Sequence, residues 1–404
     1  MLRHALEGVK VVDFTWAQAG PLCTKELAEH GATVIKVESA THPDTCRVYS
    51  PMAGNIPGVN RCGAFACSND NKYSLAVKMT HPKGLDVIKR LIAWSDMVVE
   101  NFSAGVMERH GLGWEELQKL KPDIIMIRIS MQGQTGPSAS QPGFGTMLQS
   151  QAGFTELMGW PNLGPALIPV ALTDHIVPWY AAFLAVAALE WRRRTGKGLY
   201  VDASHLESGW NFLAPALLDY NANGRVWRRS GNRCQYAAPH GVYRCQGDDR
   251  WCAIAVFNDG EWQAFTRVIG EPEWARSAKF TTFLARKKNE DELDRLVEEW
   301  TCRYPCELVM EQMQKAGVPA GPVESNKDLH HDPQLEHRHH FWKLNHPETG
   351  LNAYDGPSHR MSKTPAELQK PAPCLGEHTA YVCTELLGIP EEEFVQLLDE
   401  GIFE

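Results

Sequence analysis

Between Val9 and Asn221 the chain alternates short β-branched stretches with longer helix-like ones, and this alternation restricts the fold more than any other feature. Val9-Lys10-Val11-Val12-Asp13-Phe14 reads as a strand and Gln18-Ala19-Gly20-Pro21 as a turn. Leu22 to His30 reads as a helix stopped by Gly31, and Thr33 to Val37 as a second strand. A strand–helix–strand unit of this kind returns its second strand parallel to the first through a right-handed crossover. The pattern continues with helix Gly84 to Ser95, strand Met97 to Val99, helix Trp114 to Lys121 and strand Ile124 to Ile129. A long helix from about Pro178 to Arg194, ended by Gly196 and Gly198, precedes strand Leu199 to Ala203 and a helix to about Asn221. The expected class is α/β, with residues 1–224 forming a large doubly wound, Rossmann-like domain.

The texture changes after Gly224. Gly241 to Cys245 and Trp251 to Val256 are strand-like, and helices are expected at Gly260 to Ile269, Asp291 to Tyr304 and Cys306 to Ala316. Residues 225–325 therefore read as a smaller α+β domain. Within residues 326–404, the stretch from Asp328 to about Pro373 is rich in Pro, His and Asn and has little periodicity. It reads as a connection returning to the large domain, closed by helices around Thr379 to Leu387 and Glu391 to Gly401. A chain of 404 residues exceeds what one ordinary core supports, in keeping with this division.

Composition narrows the function classes. A net charge of -9 disfavours nonspecific binding to nucleic acid, so a polyanionic ligand needs a local basic pocket. The 11 cysteines form no CxxC pair and are odd in number, the pattern of reduced thiols in a cytoplasmic protein. Met1 to Gly8 lacks the apolar core of a signal peptide. The longest apolar run, Trp179 to Leu189, is shorter than the roughly 18 residues of a membrane span and is expected to be a buried helix.

Local sequence leaves the chemistry open. Asp174, in Ala171-Leu172-Thr173-Asp174-His175, precedes the long helix. There it is either an ordinary helix cap or a carboxylate held at a helix start and able to attack a carbonyl. The turn Gln18-Ala19-Gly20-Pro21 sits where doubly wound folds commonly meet a ligand, but it lacks the GxGxxG dinucleotide signature. His330, His331, His337, His339 and His340 lie at no diagnostic metal spacing and read as a solvated connection, so no metal is expected. Cys302 and Cys306 are spaced to share a helix face, as buried reduced thiols. Arg192-Arg193-Arg194 and Arg228-Arg229 read as solvated helix or loop ends. There is no GxSxG, HExxH or Walker motif.

Taken in order, a set of segments spanning essentially the whole chain resembles the class III CoA-transferases, the family of formyl-CoA, carnitine and bile-acid CoA-transferases. They are Leu6 to Phe14, Ala17 to Pro21, Gly31 to Glu38, Asn69 to Leu75, Val99 to Phe102, Gly105 to Arg109, Gly133 to Pro137, Thr195 to Gly198, Gly317 to Pro322 and Leu375 to Thr379. The resemblance implies two interlocked protomers, with the C-terminal segment completing the large domain. It also implies that Asp174 is the nucleophile and that a CoA thioester is a co-substrate rather than a permanent cofactor. Carried over by position, Gln18 and Ala19 line the reacting thioester, and Val77, Lys78, Met79 and Thr80 border the adenine. Asn101, Phe102 and Ser103 touch the pantetheine–phosphate run, Arg109 pairs with a phosphate, and Phe144 falls in another contact segment. Ser39 replaces a basic phosphate contact of some members, leaving Lys78 or Arg47 as substitutes.

The same resemblance sets the expected reaction. The Asp174 carboxylate forms a mixed anhydride with the donor acyl group, and CoA thiolate converts it to an aspartyl-CoA thioester. The acceptor acid then reverses the sequence. The family's glycine-only covering loop is replaced here by Arg229 to His240, which argues against formyl or oxalate substrates. That segment looks like those of aryl- or alkylsuccinate CoA-transferases of anaerobic hydrocarbon degradation. Succinyl-CoA is then the donor, a substituted succinate such as benzylsuccinate the acceptor, and Arg229, Arg233 or His240 the group meeting its second carboxylate. Two alternatives stand beside this reading. An α-methylacyl-CoA racemase shares the fold, but Pro142 to Gly145 lacks its second base. A partner subunit of a hetero-oligomer is the other. Neither nucleic acid nor membrane is an expected partner.

Overall fold

The computed structural model describes residues 3–403, leaving Met1, Leu2 and Glu404 outside. The chain divides into two compact units. The larger comprises residues up to Thr155, Leu167–Val226 and Gln334 onward, and the smaller comprises Glu156–Ala166 and Trp227–Pro333.

The larger unit is built on β1 (Lys10–Asp13), α1 (Ala19–Glu29), β2 (Thr33–Glu38), α2 (Gly63–Asn69), β3 (Tyr73–Ala76), α3 (Pro82–Trp94) and β4 (Met97–Glu100). It continues through α4 (Val106–Arg109), α5 (Trp114–Leu120), β5 (Ile125–Ser130), α6 (Gly145–Gln151), the start of α7 (Phe154–Leu157), which passes into the smaller unit at Glu156, α8 (Leu172–Thr195), β6 (Leu199–Ser204), α9 (His205–Phe212) and α10 (Ala214–Asn223). The six strands form one parallel sheet in the order β3-β2-β1-β4-β5-β6. Strand order reverses between β1 and β4, and in such sheets ligands bind beyond the carboxyl ends of the strands near that reversal.

Strand sequence explains the layering. Val11, Val34, Met97, Val99, Ile125, Ile127 and Ile129 face one side, under α1 and α8. Val12, Ile35, Leu75, Val98 and Met126 face the other, under α3 and α5. Apolar residues on both faces are what a parallel sheet covered on both sides requires.

Beneath β1–β3 the structure buries a polar network. Asp13 accepts hydrogen bonds from the Thr15 and Thr24 hydroxyls and an ion pair from Lys72 Nζ (3.1 Å). Lys36 Nζ meets Asp44 Oδ2 at 2.9 Å, and Arg47 grips both oxygens of Glu38 at 2.8 Å. Burial pushes the Asp13 carboxyl upward, but Lys72 and Lys36 outweigh it and hold its pKa below the ordinary range. For Glu38, burial is likewise outweighed, by the Arg47 hydrogen bonds and by Lys36. The Asn69-to-Leu75 segment, polar in sequence, is thus the underside of the β1–α1 turn: Lys72 also donates to the Pro21 carbonyl and to Asn69.

Three expectations need correction. The long helix begins at Leu172, so Asp174 stands within its first turn and Ala171 is the cap; Pro178 lies inside the helix. Helix α8 is also not fully buried. Val177, Ala181, Ala185 and Ala188 pack on the sheet, whereas Trp179 and Phe183 are 52% and 69% exposed. Although the helix is long and apolar enough to cross a membrane by composition, one of its faces packs on the sheet. Finally, the connection after Asp328 contains an antiparallel hairpin of Phe341–His346 and Gly350–Asp355, within the larger unit.

In the smaller unit a three-stranded antiparallel sheet (His240–Arg244, Trp251–Ala255 and Ala320–Pro322) is covered by helices that include Asp259–Val268, Glu290–Thr301 and Cys306–Lys315. The chain leaves helix between the last two. Cys302 and Cys306 therefore do not share a helix face, and Cys302 is exposed while Cys306 is buried.

Candidate functional site

Topology brings the chemistry to one edge. Helix α1 leaves β1 and therefore starts at the carboxyl edge of the sheet. Helix α8 leads into β6, so it runs back across the sheet and also starts at that edge. Helix α9 begins directly after β6 ends at Ser204.

The first part of the edge is a cavity of about 450 Å³, the size of a small-ligand site. It is lined by Phe14, Trp16, Val37, Ser39, His42, Val77, Lys78, Met79, Thr80, Phe102, Val106 and His110, among others. Five residues assigned to CoA through the family resemblance, Val77 to Thr80 and Phe102, meet here, together with Ser39. Trp16 and Phe102 pack edge to face at 5.5 Å between ring centres. The Trp16 N–H donates to Asn101 Oδ1 (2.7 Å), and Asn101 Nδ2 donates back to the Trp16 carbonyl (2.8 Å). The side chain of Asn101 thus fixes the loop. Glu100 accepts from the Phe102 N–H and pairs with Arg128, which orients the next residues of the same segment.

Other assigned residues fall elsewhere. Ser103 and Arg109 do not line the cavity, although Val106 and His110 of their segment do. Ala19 is buried in the first turn of α1, leaving its backbone N–H as its polar contribution. The Gln18 amide is held between two thiols: it donates to Cys67 Sγ (3.7 Å) and accepts from Cys46 Sγ (3.6 Å). Ala17 adopts a left-handed φ of 60° while its N–H donates to Asp44, so the turn is tied to the buried network. Gly20 is required here, because a Cβ would lie 2.4 Å from Thr15 Cβ. Arg47 is fully buried by Glu38 and offers nothing to a phosphate, which corrects its place as an alternative contact; Lys78 does line the cavity.

The second part of the edge is Asp174. Its carboxylate faces the positive end of a 24-residue helix. Gly145, the first residue of α6, leaves the space that the carboxylate fills: a Cβ there would lie 2.1 Å from Asp174 Oδ1. Gln149, fully buried, accepts from the Leu172 N–H (3.3 Å) and donates to the Ile168 carbonyl (3.1 Å), which fixes how the chain enters α8. Phe144, one residue before α6, is 63% exposed. His205, the first residue of α9, brings Nδ1 to 3.4 Å from Asp174 Oδ1. Neither Gly145 nor His205 was picked out in the sequence. The signal for His205 was its place directly after a parallel strand, where such sheets carry ligand-facing residues.

In the smaller unit, Arg233 and His240 line a separate cavity of about 460 Å³. Arg233 pairs with Asp291, and Arg229 is occupied by the Glu156 carboxylate (3.1 Å) and carbonyl (3.0 Å).

A parallel sheet with a cavity and a helix-start carboxylate along its carboxyl edge is the arrangement of a ligand-binding α/β protein. The chain matches the model of CoA-transferase family III over residues 6–379 and belongs to that family, whose members are CoA-transferases. It is 33% identical, over 97% of its length and 96% of the relative's, to the succinyl-CoA–D-citramalate CoA-transferase of Chloroflexus aurantiacus. It is 30% identical, over 98% of both chains, to the beta subunit of that organism's succinyl-CoA–L-malate CoA-transferase. The crystal structure of a CaiB/BaiF family protein from Brucella suis superposes with a TM-score of 0.87 at 31% identity, covering 95% of this chain and 100% of that one.

Proposed function

We propose that this CoA-transferase moves CoA from succinyl-CoA to a dicarboxylic acid through a covalent relay on Asp174. One observation carries the reading. The Asp174 carboxylate sits at the start of α8, in space kept by Gly145, and accepts no hydrogen bond among the described residues. A carboxylate left uncommitted at a helix start is available as a nucleophile.

One carboxylate oxygen attacks the donor thioester carbonyl, and CoA thiolate leaves as the anhydride forms. The thiolate then attacks Asp174 Cγ, and succinate departs with the C–O bonding pair. The acceptor carboxylate attacks the aspartyl thioester, and the thiolate returns to the acceptor's acyl carbon. First-turn N–H groups of α1 near Gln18 and Ala19 supply donors for developing oxyanions. The adenine and pantetheine segments fall to the cavity holding Val77 to Thr80 and Phe102.

The two relatives carry succinyl-CoA together with citramalate or malate in their names, which supports a dicarboxylic acceptor. An aryl- or alkylsuccinate such as benzylsuccinate is the narrower proposal, with Arg229, Arg233 or His240 as the group meeting its second carboxylate. The apolar face of α8 around Phe183, and Leu217, Leu218 and Tyr220 of α10, are exposed in the single chain. They support burial against a second copy or a homologous subunit, as in the interlocked arrangement. Eleven unpaired cysteines accord with a cytoplasmic setting. Racemisation is the poorer account, because the segment Pro142 to Gly145, where the second base would stand, carries no histidine.

The test is incubation with succinyl-CoA and a panel of dicarboxylic acids, with new thioesters and the CoA–protein adduct read by mass. Turnover is expected only with intact Asp174; α-carbon deuterium exchange without acid exchange would restore the racemase.

A further inference from the structure

We infer that His205 is a catalytic residue of the relay: its Nδ1–H holds the non-attacking oxygen of Asp174 and stabilises the oxyanion that forms there when CoA attacks Cγ. The inference rests on the Asp174 reading above.

His205 is 5% exposed and its Nδ1 is fully shielded. That nitrogen has no hydrogen-bond partner among the described residues, and the carboxylate oxygen 3.4 Å away is the group it approaches. At this distance a lone pair on Nδ1 is repelled by the carboxylate oxygen and an N–H attracted, so the tautomer with the proton on Nδ1 fits a contact that is close but short of hydrogen-bond geometry. A shielded nitrogen left without a partner is destabilising. Placing that cost beside a reacting group is the arrangement expected of a donor whose bond tightens only when charge develops. Catalytic hydrogen bonds are often long before substrate binds. The position itself is fixed from two sides: Ser204 caps α9 by accepting from the Glu207 N–H, and the Leu206 N–H donates to the Met131 carbonyl beyond β5.

The contact also divides the two carboxylate oxygens by role. Oδ1 faces His205, which leaves Oδ2 to attack the thioester. In the anhydride Oδ2 becomes the bridging atom and Oδ1 the carbonyl oxygen. When CoA thiolate forms the S–Cγ bond, the carbonyl π pair moves onto Oδ1. Collapse restores the carbonyl and expels the acid along the Cγ–Oδ2 bond. No proton is transferred at any point, and His205 keeps its own. The same oxygen carries the charge when the acceptor attacks the aspartyl thioester, so one donor serves both halves of the exchange.

The experiment compares wild type with His205→Leu and His205→Asn, whose side-chain amide places an N–H near the position of Nδ1. The readouts are kcat and KM for succinyl-CoA and the rate at which the CoA–protein adduct appears by mass. Removing one oxyanion donor costs on the order of 10²–10³ in kcat. His205→Leu is expected to show that loss in kcat and in adduct formation with KM little changed, and His205→Asn to recover most of it. A Leu variant within threefold of wild type overturns the proposal. So does an Asn variant that is as slow as Leu or fails to fold, since either assigns the residue to packing. If wild type itself forms no CoA adduct, the Asp174 relay falls; if it does and the variants match it, only the role of His205 falls.

Discussion

The underside of β1–β3 and the start of α8 both bring charged groups out of water, and they do so in opposite ways. Under the strands, Asp13, Lys72, Lys36, Asp44, Glu38 and Arg47 are all paired, with contacts of 2.8–3.1 Å. At α8 the Asp174 carboxylate accepts no hydrogen bond among the described residues; His205 approaches it at 3.4 Å, and a glycine stands where a side chain would seal it. Buried charges that are fully matched fix a conformation, here the β1–α1 turn carrying Trp16 to Pro21. A carboxylate left short of partners retains the capacity to form a new bond.

The sharpest test of this contrast is Asp174→Ala. Transfer is expected to fall on the order of 10⁴-fold or more, as when a nucleophile is removed. CoA binding, followed by calorimetry, should persist because the cavity residues are untouched. Gly145→Ala comes next. The added methyl claims the position of Asp174 Oδ1, so the carboxylate must rotate or shift; displacement of about 1 Å costs on the order of 10²-fold. kcat should drop while the melting temperature changes little. On the other side of the comparison, Lys72→Met leaves Asp13 buried without its cation. Breaking such a pair costs about 3–5 kcal/mol, measurable by denaturant unfolding, and because Lys72 also holds the Pro21 carbonyl of the β1–α1 turn, the loss should be far larger in stability than in the rate of the folded fraction.

The smallest effect concerns Glu29, beside the same network. Burial, and then Asp70, push its carboxyl from 4.5 up to about 9, with Lys25 opposing. The folded state therefore keeps a proton that the unfolded chain releases, and stability is lost as pH rises from 4.5 towards 9. Glu29→Gln should raise the melting temperature near pH 8, by about 2–4 °C per kcal/mol relieved, and leave it unchanged near pH 4. A gain independent of pH would assign the effect to packing.

How much of this was readable beforehand follows the same division. β1, β2, β4, β5 and β6 announce themselves because each is a run of β-branched or aliphatic residues between glycines and helix signals. β3 does not, since its approach, Asn69 to Lys72, is polar to serve Asp13 and looks like a loop. The hairpin Phe341–His346/Gly350–Asp355 is hidden because its first strand offers only Trp342 and Leu344 to the apolar side, alternating with exposed Lys343 and Asn345 among histidines and prolines. The start of α8 was misplaced because Pro178, with no N–H for the Asp174 carbonyl, resembles a first-turn proline. That masked the fact that Asp174 is already helical. Family likeness supplied Asp174; His205 had only its place after β6 as a signal, and no local pattern could supply Gly145. Their importance comes from meeting across sequence separations of about 30 residues, which only the sheet's order makes possible.

Asp174 and His205 lie at the two ends of a single excursion, down α8 and back up β6. The distance between them is therefore set by arithmetic: the turns of one helix against the residues of one strand. A residue inserted in either would slide one group past the other and would also turn that element's apolar side chains off the core on which both rest. For protein engineers this makes residues 171–206 a cartridge. Moved as a block into another member of the fold, along with a glycine to receive it, the segment should carry its own chemical alignment; cut in the middle, it should carry none.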